Sequence, residues 1–218
     1  MKRYITLKNF INMLNDNDVL IFSGKELCKE AFEYDKPNHF YINDSHGIAP
    51  AFGLGAAMCT DKRIFTFIGE GELLRDLGIV AQIGASRCEN MFLIVLDNAC
   101  YQSAGGHPSI FESILSKKGF IYNSGSKVID FTKHFQDKNF KRLKDRFTRL
   151  TGPLVIFIDV DKGFKKDLKE IEIDYISQRD RIKKLIENKE LKSALFVPPP
   201  LGEITTLNVD NMSIGGNS

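Results

Sequence analysis

Four apolar runs that do not alternate constrain this chain more than any other feature. They are Val19 to Phe22, Ile64 to Ile68, Met91 to Leu96 and Leu154 to Val160. A strand with one wet face alternates apolar and polar residues, whereas a strand apolar at nearly every position is buried on both faces. The segments between the runs have helical character. Leu7, Phe10, Ile11 and Leu14 recur at helical spacing ahead of the first run. Ser23-Gly24-Lys25-Glu26 has the S-x-x-E form of a capping box and predicts a helix through about Phe32. A shorter strand is expected at Phe40–Ile42. Gly47 to Cys59 is rich in Gly and Ala, with Pro50 near its start, which suits a helix packed closely on a sheet. Further helices are expected at Leu73–Ser86, Ser109–Lys117 and Phe140–Leu150, and an extended piece at Phe120–Tyr122. Alternating βα units of this kind predict an α/β fold, a doubly wound parallel sheet in a three-layer αβα domain.

The chain has 218 residues, of which 43% are hydrophobic, enough for one full domain with a sizeable core. The βα series occupies residues 1–165. Residues 166–218 read as a charged C-terminal helix, near Gln178–Lys192, followed by Pro198-Pro199-Pro200 and a Gly/Asn/Ser/Thr-rich tail, either solvated or a partner-binding arm. A formal charge of +2 argues against bulk attraction to nucleic acid or a membrane surface. No apolar run approaches the roughly 18–20 residues of a membrane span, and the start lacks a signal peptide's apolar core. Cys28, Cys59, Cys88 and Cys100 are scattered, without metal or disulfide spacing. Small core residues account for the first three, and a cytoplasmic location is expected.

Two strand ends carry the chemistry. Gly69-Glu70-Gly71-Glu72 follows one apolar run, and Asp97-Asn98-Ala99-Cys100 closes the next. Both would lie at the carboxyl edge of a parallel sheet, where open α/β sheets bind ligands. A carboxylate, an amide oxygen and backbone carbonyls meeting there suit Mg²⁺, a hard cation that favours oxygen ligands and bridges to phosphates. Each motif alone also fits a tight βα turn or a cap.

Together with two further segments, these motifs resemble the diphosphate-binding domain of thiamine-diphosphate enzymes. The likeness is greatest to phosphonopyruvate decarboxylases and the β subunit of sulfopyruvate decarboxylases. Ser23-Gly24-Lys25-Glu26-Leu27 resembles that group's T-G-R/K-E-L segment, and Asp44-Ser45-His46-Gly47 its G-S-M-G turn. Asp97 to Pro108 resembles its D-N-G-x-Y-x-S-T-G-G-Q-P run. The resemblance implies thiamine diphosphate and Mg²⁺ as cofactors. It implies Glu70, Asn98 and the backbone carbonyl of Cys100 as metal ligands. Ser23, Gly24, Gly69, Gly71, Glu72 and Tyr101 would contact the cofactor's diphosphate side, and Asp44, Ser45 and His46 its aminopyrimidine. His46 would be a steric wedge beneath the cofactor or a titrating group. His107 would bind an anionic substrate head group or simply be solvated; these two histidines are the catalytic candidates. His39 and His134 have no motif context and read as surface residues.

Three departures from the pattern fall at the expected cofactor contacts, and His107 stands where the family has Gln. Glu70 stands where the family has Asp, Glu72 where it has a small residue beside phosphate, and His46 where it has a bulky apolar side chain. The family's pyrimidine-binding domain is missing from the βα series. The resemblance therefore implies the β subunit of a split 2-oxoacid decarboxylase, completed by a pyrimidine-binding subunit in an α₂β₂ or larger assembly. Its substrate would be a small 2-oxoacid such as phosphonopyruvate or sulfopyruvate. Alternatives are a subunit of a carboligase, acetolactate synthase-like or transketolase-like, and a non-catalytic cofactor-binding or scaffold subunit.

Overall fold

The computed structural model describes residues 1–44, 47–111, 127–130 and 147–186. In chain order the elements are α1 (Arg3–Met13), β1 (Val19–Ser23), α2 (Lys25–Phe32), β2 (His39–Ile42), α3 (Ala49–Cys59), β3 (Ile64–Gly69), α4 (Glu70–Leu73), a 3₁₀ turn (Leu74–Asp76) and α5 (Gly78–Ser86). Then follow β4 (Met91–Asp97), a two-stranded hairpin of β5 (Cys100–Tyr101) and β6 (His107–Pro108), β7 (Lys127–Asp130), β8 (Leu154–Asp159) and α6 (Tyr175–Ile186). The main sheet has the order β2-β1-β3-β4-β8-β7. Every pairing in it is parallel. This is the expected doubly wound α/β architecture.

The unbroken apolar strands are buried on both faces, as their composition requires. Along β4 all seven residues are buried. Phe92, Ile94 and Leu96 join a core beneath α1 and α2. Met91, Leu93 and Val95 join a second core beneath α3 and α5. In β3, Phe65 and Phe67 face the first core while Ile64 and Ile68 face the second. Aromatic rings fill the first core: Phe65 stacks on Phe92 at 4.6 Å, Phe22 on Phe67 at 5.0 Å, and Phe10 meets Phe67 edge-on at 5.2 Å.

The small residues of α3 have a packing reason. Gly53 lies directly over Thr66 of β3, so a Cβ there would collide with the Thr66 hydroxyl. Gly53→Ala is expected to push α3 off the sheet and cost about 1–3 kcal/mol, read as a lower denaturant midpoint with an unchanged m-value. An unshifted midpoint would show that α3 gives way freely.

Several local expectations are corrected. The helix expected over Leu73–Ser86 is broken into α4, a 3₁₀ turn and α5, with the chain re-entering helix at Gly78. The capping box at Ser23 does not form. Ser23 is the last residue of β1, paired with Ile42, and the N-cap of α2 is Gly24 at φ 92° with no side-chain cap. His39 is not a surface residue: it is 1% exposed, with its ring against Phe22 and Tyr41. The strand at β7 and the β5–β6 hairpin were not foreseen. Phe120–Tyr122, most of the helices expected at Ser109–Lys117 and Phe140–Leu150, His134 and everything beyond residue 186 lie outside the described residues.

Helix α6 packs against the edge strand β2. The amide of Tyr41 donates to Oε1 of buried Gln178 at 2.8 Å. Arg181 forks onto both oxygens of Asp35, each at 2.8 Å. A glutamine side chain thereby satisfies an amide of the edge strand. Among the described residues no helix is long and apolar enough to cross a membrane.

Candidate functional site

The sheet reverses its direction of growth between β1 and β3. From β1 the chain steps outward to β2, then crosses back to place β3 on the other side of β1. At such a switch point the loops leaving the two strands diverge and open a crevice at their carboxyl ends. Register decides what lines it. Phe22 pairs with Phe67 and Gly69 with Leu96, so the residues just beyond these pairs come level at one edge. They are Ser23-Gly24, Glu70–Glu72 and Asp97-Asn98.

Glu70 and Asn98 meet at a single backbone amide. The Cys100 N–H donates to Glu70 Oε1 and to Asn98 Oδ1, both at 3.1 Å. A tight turn delivers this amide: Ala99 is left-handed at φ 53°, and its N–H donates to Asp97 Oδ1 at 2.8 Å. The hairpin then orients Cys100. Ser109 and Gly106 donate to the carbonyls of Ala99 and Tyr101. In an extended chain neighbouring residues turn their polar groups to opposite sides. The Cys100 amide accordingly points away from the hairpin arm, toward Glu70 and Asn98. The cross-strand partner of Cys100 is Pro108, which has no N–H to leave unpaired.

The carboxylate of Glu70 is 2% exposed. Burial, and then the nearby Asp97 carboxylate, push its pKa up to about 7 against the hydrogen bonds it accepts. Burial also raises the Cys100 thiol above its ordinary value, which makes it a poor nucleophile. Gly71 packs closely under Tyr101: a Cβ there would stand 3.1 Å from the ring, which would have to shift slightly to admit it. Thus Tyr101 lies over Gly71.

On the other side of the crevice, Ser23 Oγ donates to Glu72 Oε2. Glu72 Oε1 lies 3.2 Å from where a Cβ of Gly24 would be. The carboxylate therefore reaches from the end of β3 to the end of β1. Gly47 has φ 99° and packs beside Arg75 and the Glu72 carbonyl. Asp44 is exposed and lines a cavity of about 470 Å³ with Phe40, Ile48, Phe52 and Tyr175. Ser45 and His46 lie outside the described residues. His107 is exposed on the hairpin, paired with Tyr101. Sequence reasoning missed Gln102, whose Oε1 accepts from the Gly163 N–H at 3.0 Å and ties the hairpin to the chain after β8. The motif contained it, but nothing in the pattern marked it as a tie.

The donor set fits a hard cation in part. One carboxylate, one amide oxygen and one backbone carbonyl can be brought together, and the buried acid gains from a positive neighbour. Among the described residues no group of three or more His, Cys, Asp or Glu could hold a metal. A cation here would need ligand or water oxygens to complete its shell.

Comparison with known proteins shows the family and the fold. Residues 26–163 match the family model described as thiamine pyrophosphate enzyme, C-terminal TPP binding domain. The chain is 29% identical over 177 residues to the sulfopyruvate decarboxylase subunit beta of Methanothermobacter thermautotrophicus, covering 80% of this chain and 89% of that one. It is 34% identical over 80 residues to the phosphonopyruvate decarboxylase of Streptomyces viridochromogenes, covering 37% of this chain and 20% of that one. The benzoylformate decarboxylase of Polynucleobacter necessarius shares the fold at a TM-score of 0.55 and 14% identity, over 76% of this chain and 34% of that one.

Proposed function

The chain belongs to the thiamine pyrophosphate enzyme family through its C-terminal TPP binding domain, and we propose that it is the diphosphate-binding β subunit of a split, Mg²⁺-dependent 2-oxoacid decarboxylase. The observation that carries this is the convergence of Glu70 and Asn98 on the Cys100 amide beside the switch-point crevice. The extent of the likeness to a sulfopyruvate decarboxylase β subunit supports both the subunit role and a small anionic 2-oxoacid as substrate.

When bound, thiamine diphosphate supplies the nucleophile and electron sink that a 2-oxoacid needs to lose CO₂. The chain's own residues hold and orient. Glu70, Asn98 and the Cys100 carbonyl hold Mg²⁺. Ser23, Gly24 and the Gly69–Glu72 turn line the diphosphate side, where the start of α2 favours negative charge. Tyr101 closes over the turn. By the family likeness, Asp44, Ser45 and His46 are assigned to the aminopyrimidine and His46 and His107 to the substrate. A pyrimidine-binding subunit completes the site in an α₂β₂ or larger assembly.

The test is calorimetric titration of the full chain with thiamine diphosphate and Mg²⁺, alone and mixed with a candidate pyrimidine-binding subunit. Binding that requires Mg²⁺, with CO₂ release from sulfopyruvate or phosphonopyruvate only in the mixture, is expected. Absence of cofactor binding even in the mixed complex would overturn the decarboxylase reading. It would favour instead a non-catalytic scaffold, a role to which the carboxylate of Glu72 inside the crevice would also be suited.

A further inference from the structure

Glu72 stands where an anionic ligand would have to go. It leaves the end of β3, spans the switch-point crevice and accepts a hydrogen bond from the buried hydroxyl of Ser23 at the end of β1. Its other oxygen lies against Gly24, the N-cap of α2. That helix has no side-chain cap of its own, and Gly24 at φ 92° brings bare backbone to the crevice wall. A hydroxyl, a glycine turn and a helix start are the groups that receive a phosphate in α/β proteins. Here a carboxylate from the same chain already takes the hydroxyl and packs against the glycine.

We propose that Glu72 is an internal anion that latches the crevice, and that a diphosphate ligand binds only by displacing it. The proposal rests on the reading of the crevice as the diphosphate site and adds a selectivity device to it. Two anions sharing one partly buried crevice repel strongly, so diphosphate and the Glu72 carboxylate exclude one another. Two further buried acidic side chains, Glu70 and Asp97, lie on the far side. Glu72 therefore makes entry depend on the divalent cation that accompanies the diphosphate, and it discriminates against bare anions. Once displaced, it frees Ser23 to donate to the ligand.

Isothermal titration of the full chain with inorganic pyrophosphate and with thiamine diphosphate, each with Mg²⁺, tests this. Glu72→Ser removes the latch. Glu72→Gln keeps the length and an acceptor for Ser23 but loses the charge, and it serves should the serine variant fold poorly. Either variant is expected to bind both probes more tightly than the wild type, by about tenfold or more for serine. The proposal falls if neither variant binds more tightly. If wild type and variants bind thiamine diphosphate equally, the latch is wrong and the cofactor reading stands. If the variants gain affinity for pyrophosphate but none of the proteins binds thiamine diphosphate, the latch stands and the cofactor reading falls. If no protein binds either probe, both fall.

Discussion

Glu70→Gln is expected to weaken Mg²⁺-dependent binding of thiamine diphosphate by roughly a hundredfold or more, while making the metal-free protein more stable above pH 7. Removing partners that merely support a ligand already costs 10–100-fold in many metal sites, so removing a direct carboxylate ligand costs at least as much. The gain in stability comes from the other side of the same balance. Glu70 is buried beside Asp97, and its pKa lies at about 7 instead of the ordinary 4.5. The folded protein therefore holds this proton more tightly than the unfolded chain does. Stability is unaffected by Glu70 below about pH 4.5, falls as pH rises through the window, and carries the full penalty above about 7. A shift of that size corresponds to about 3 kcal/mol at most. Glutamine still accepts from the Cys100 amide and carries no charge. Chemical denaturation at pH 8, with and without the substitution, measures the gain; calorimetry with Mg²⁺ and cofactor measures the loss. A variant that loses stability, or that binds as the wild type does, would remove Glu70 from the metal site.

On the proposed function, Glu70 thus gives up folding stability in exchange for ligand binding. The fold was legible because it depends on patterns that repeat. Unbroken apolar runs required two-sided burial, and β1, β3, β4 and β8 lie where those runs lie. The strand-end motifs were legible because a parallel sheet delivers its strand ends to one edge. What escaped were contacts between residues far apart in sequence. The S-x-x-E pattern at Ser23 obeys a local rule, but β1 holds Ser23 in its ladder and Glu72, 49 residues on, takes its hydroxyl. Gly105 and Gly106 stood inside the matched run and both have positive φ, and Ala99 also turns left-handed at the start of the hairpin. The resembling family has glycine at that position, and φ 53° supplies the physical reason. Glu72 was visible as a departure, but only the sheet order shows that it bridges β3 to β1.

His39 illustrates the same limit and leads to the second large effect. It was unremarkable in the sequence, but strand alternation places it on the face shared by Tyr41, within the first core's aromatic cluster. Burial, the largest influence, lowers its pKa from 6.5 to about 4, with Asp35 and Asp16 opposing and Lys36 and Arg181 assisting. The Tyr41 hydroxyl lies 3.4 Å from its Nδ1 and donates to Asp35 at 2.9 Å. Here the unfolded chain binds the extra proton. Stability is intact above about pH 6.5 and is lost as pH falls toward 4, by up to about 3 kcal/mol. Asp35 adds a loss at still lower pH: burial raises its pKa, but hydrogen bonds from Arg181 and Tyr41 outweigh that and hold it below the usual carboxylate value. Between pH 4.5 and 6.5 the His39 and Glu70 effects run in opposite directions, so the wild type should show a shallow profile there. Glu70→Gln should expose the full His39 slope. Adding His39→Phe, which keeps a ring against Phe22 without a titrating group, should flatten it again. Unfolding free energies across this pH range decide the matter. If the slope persists without His39, the acid sensitivity arises elsewhere in the core.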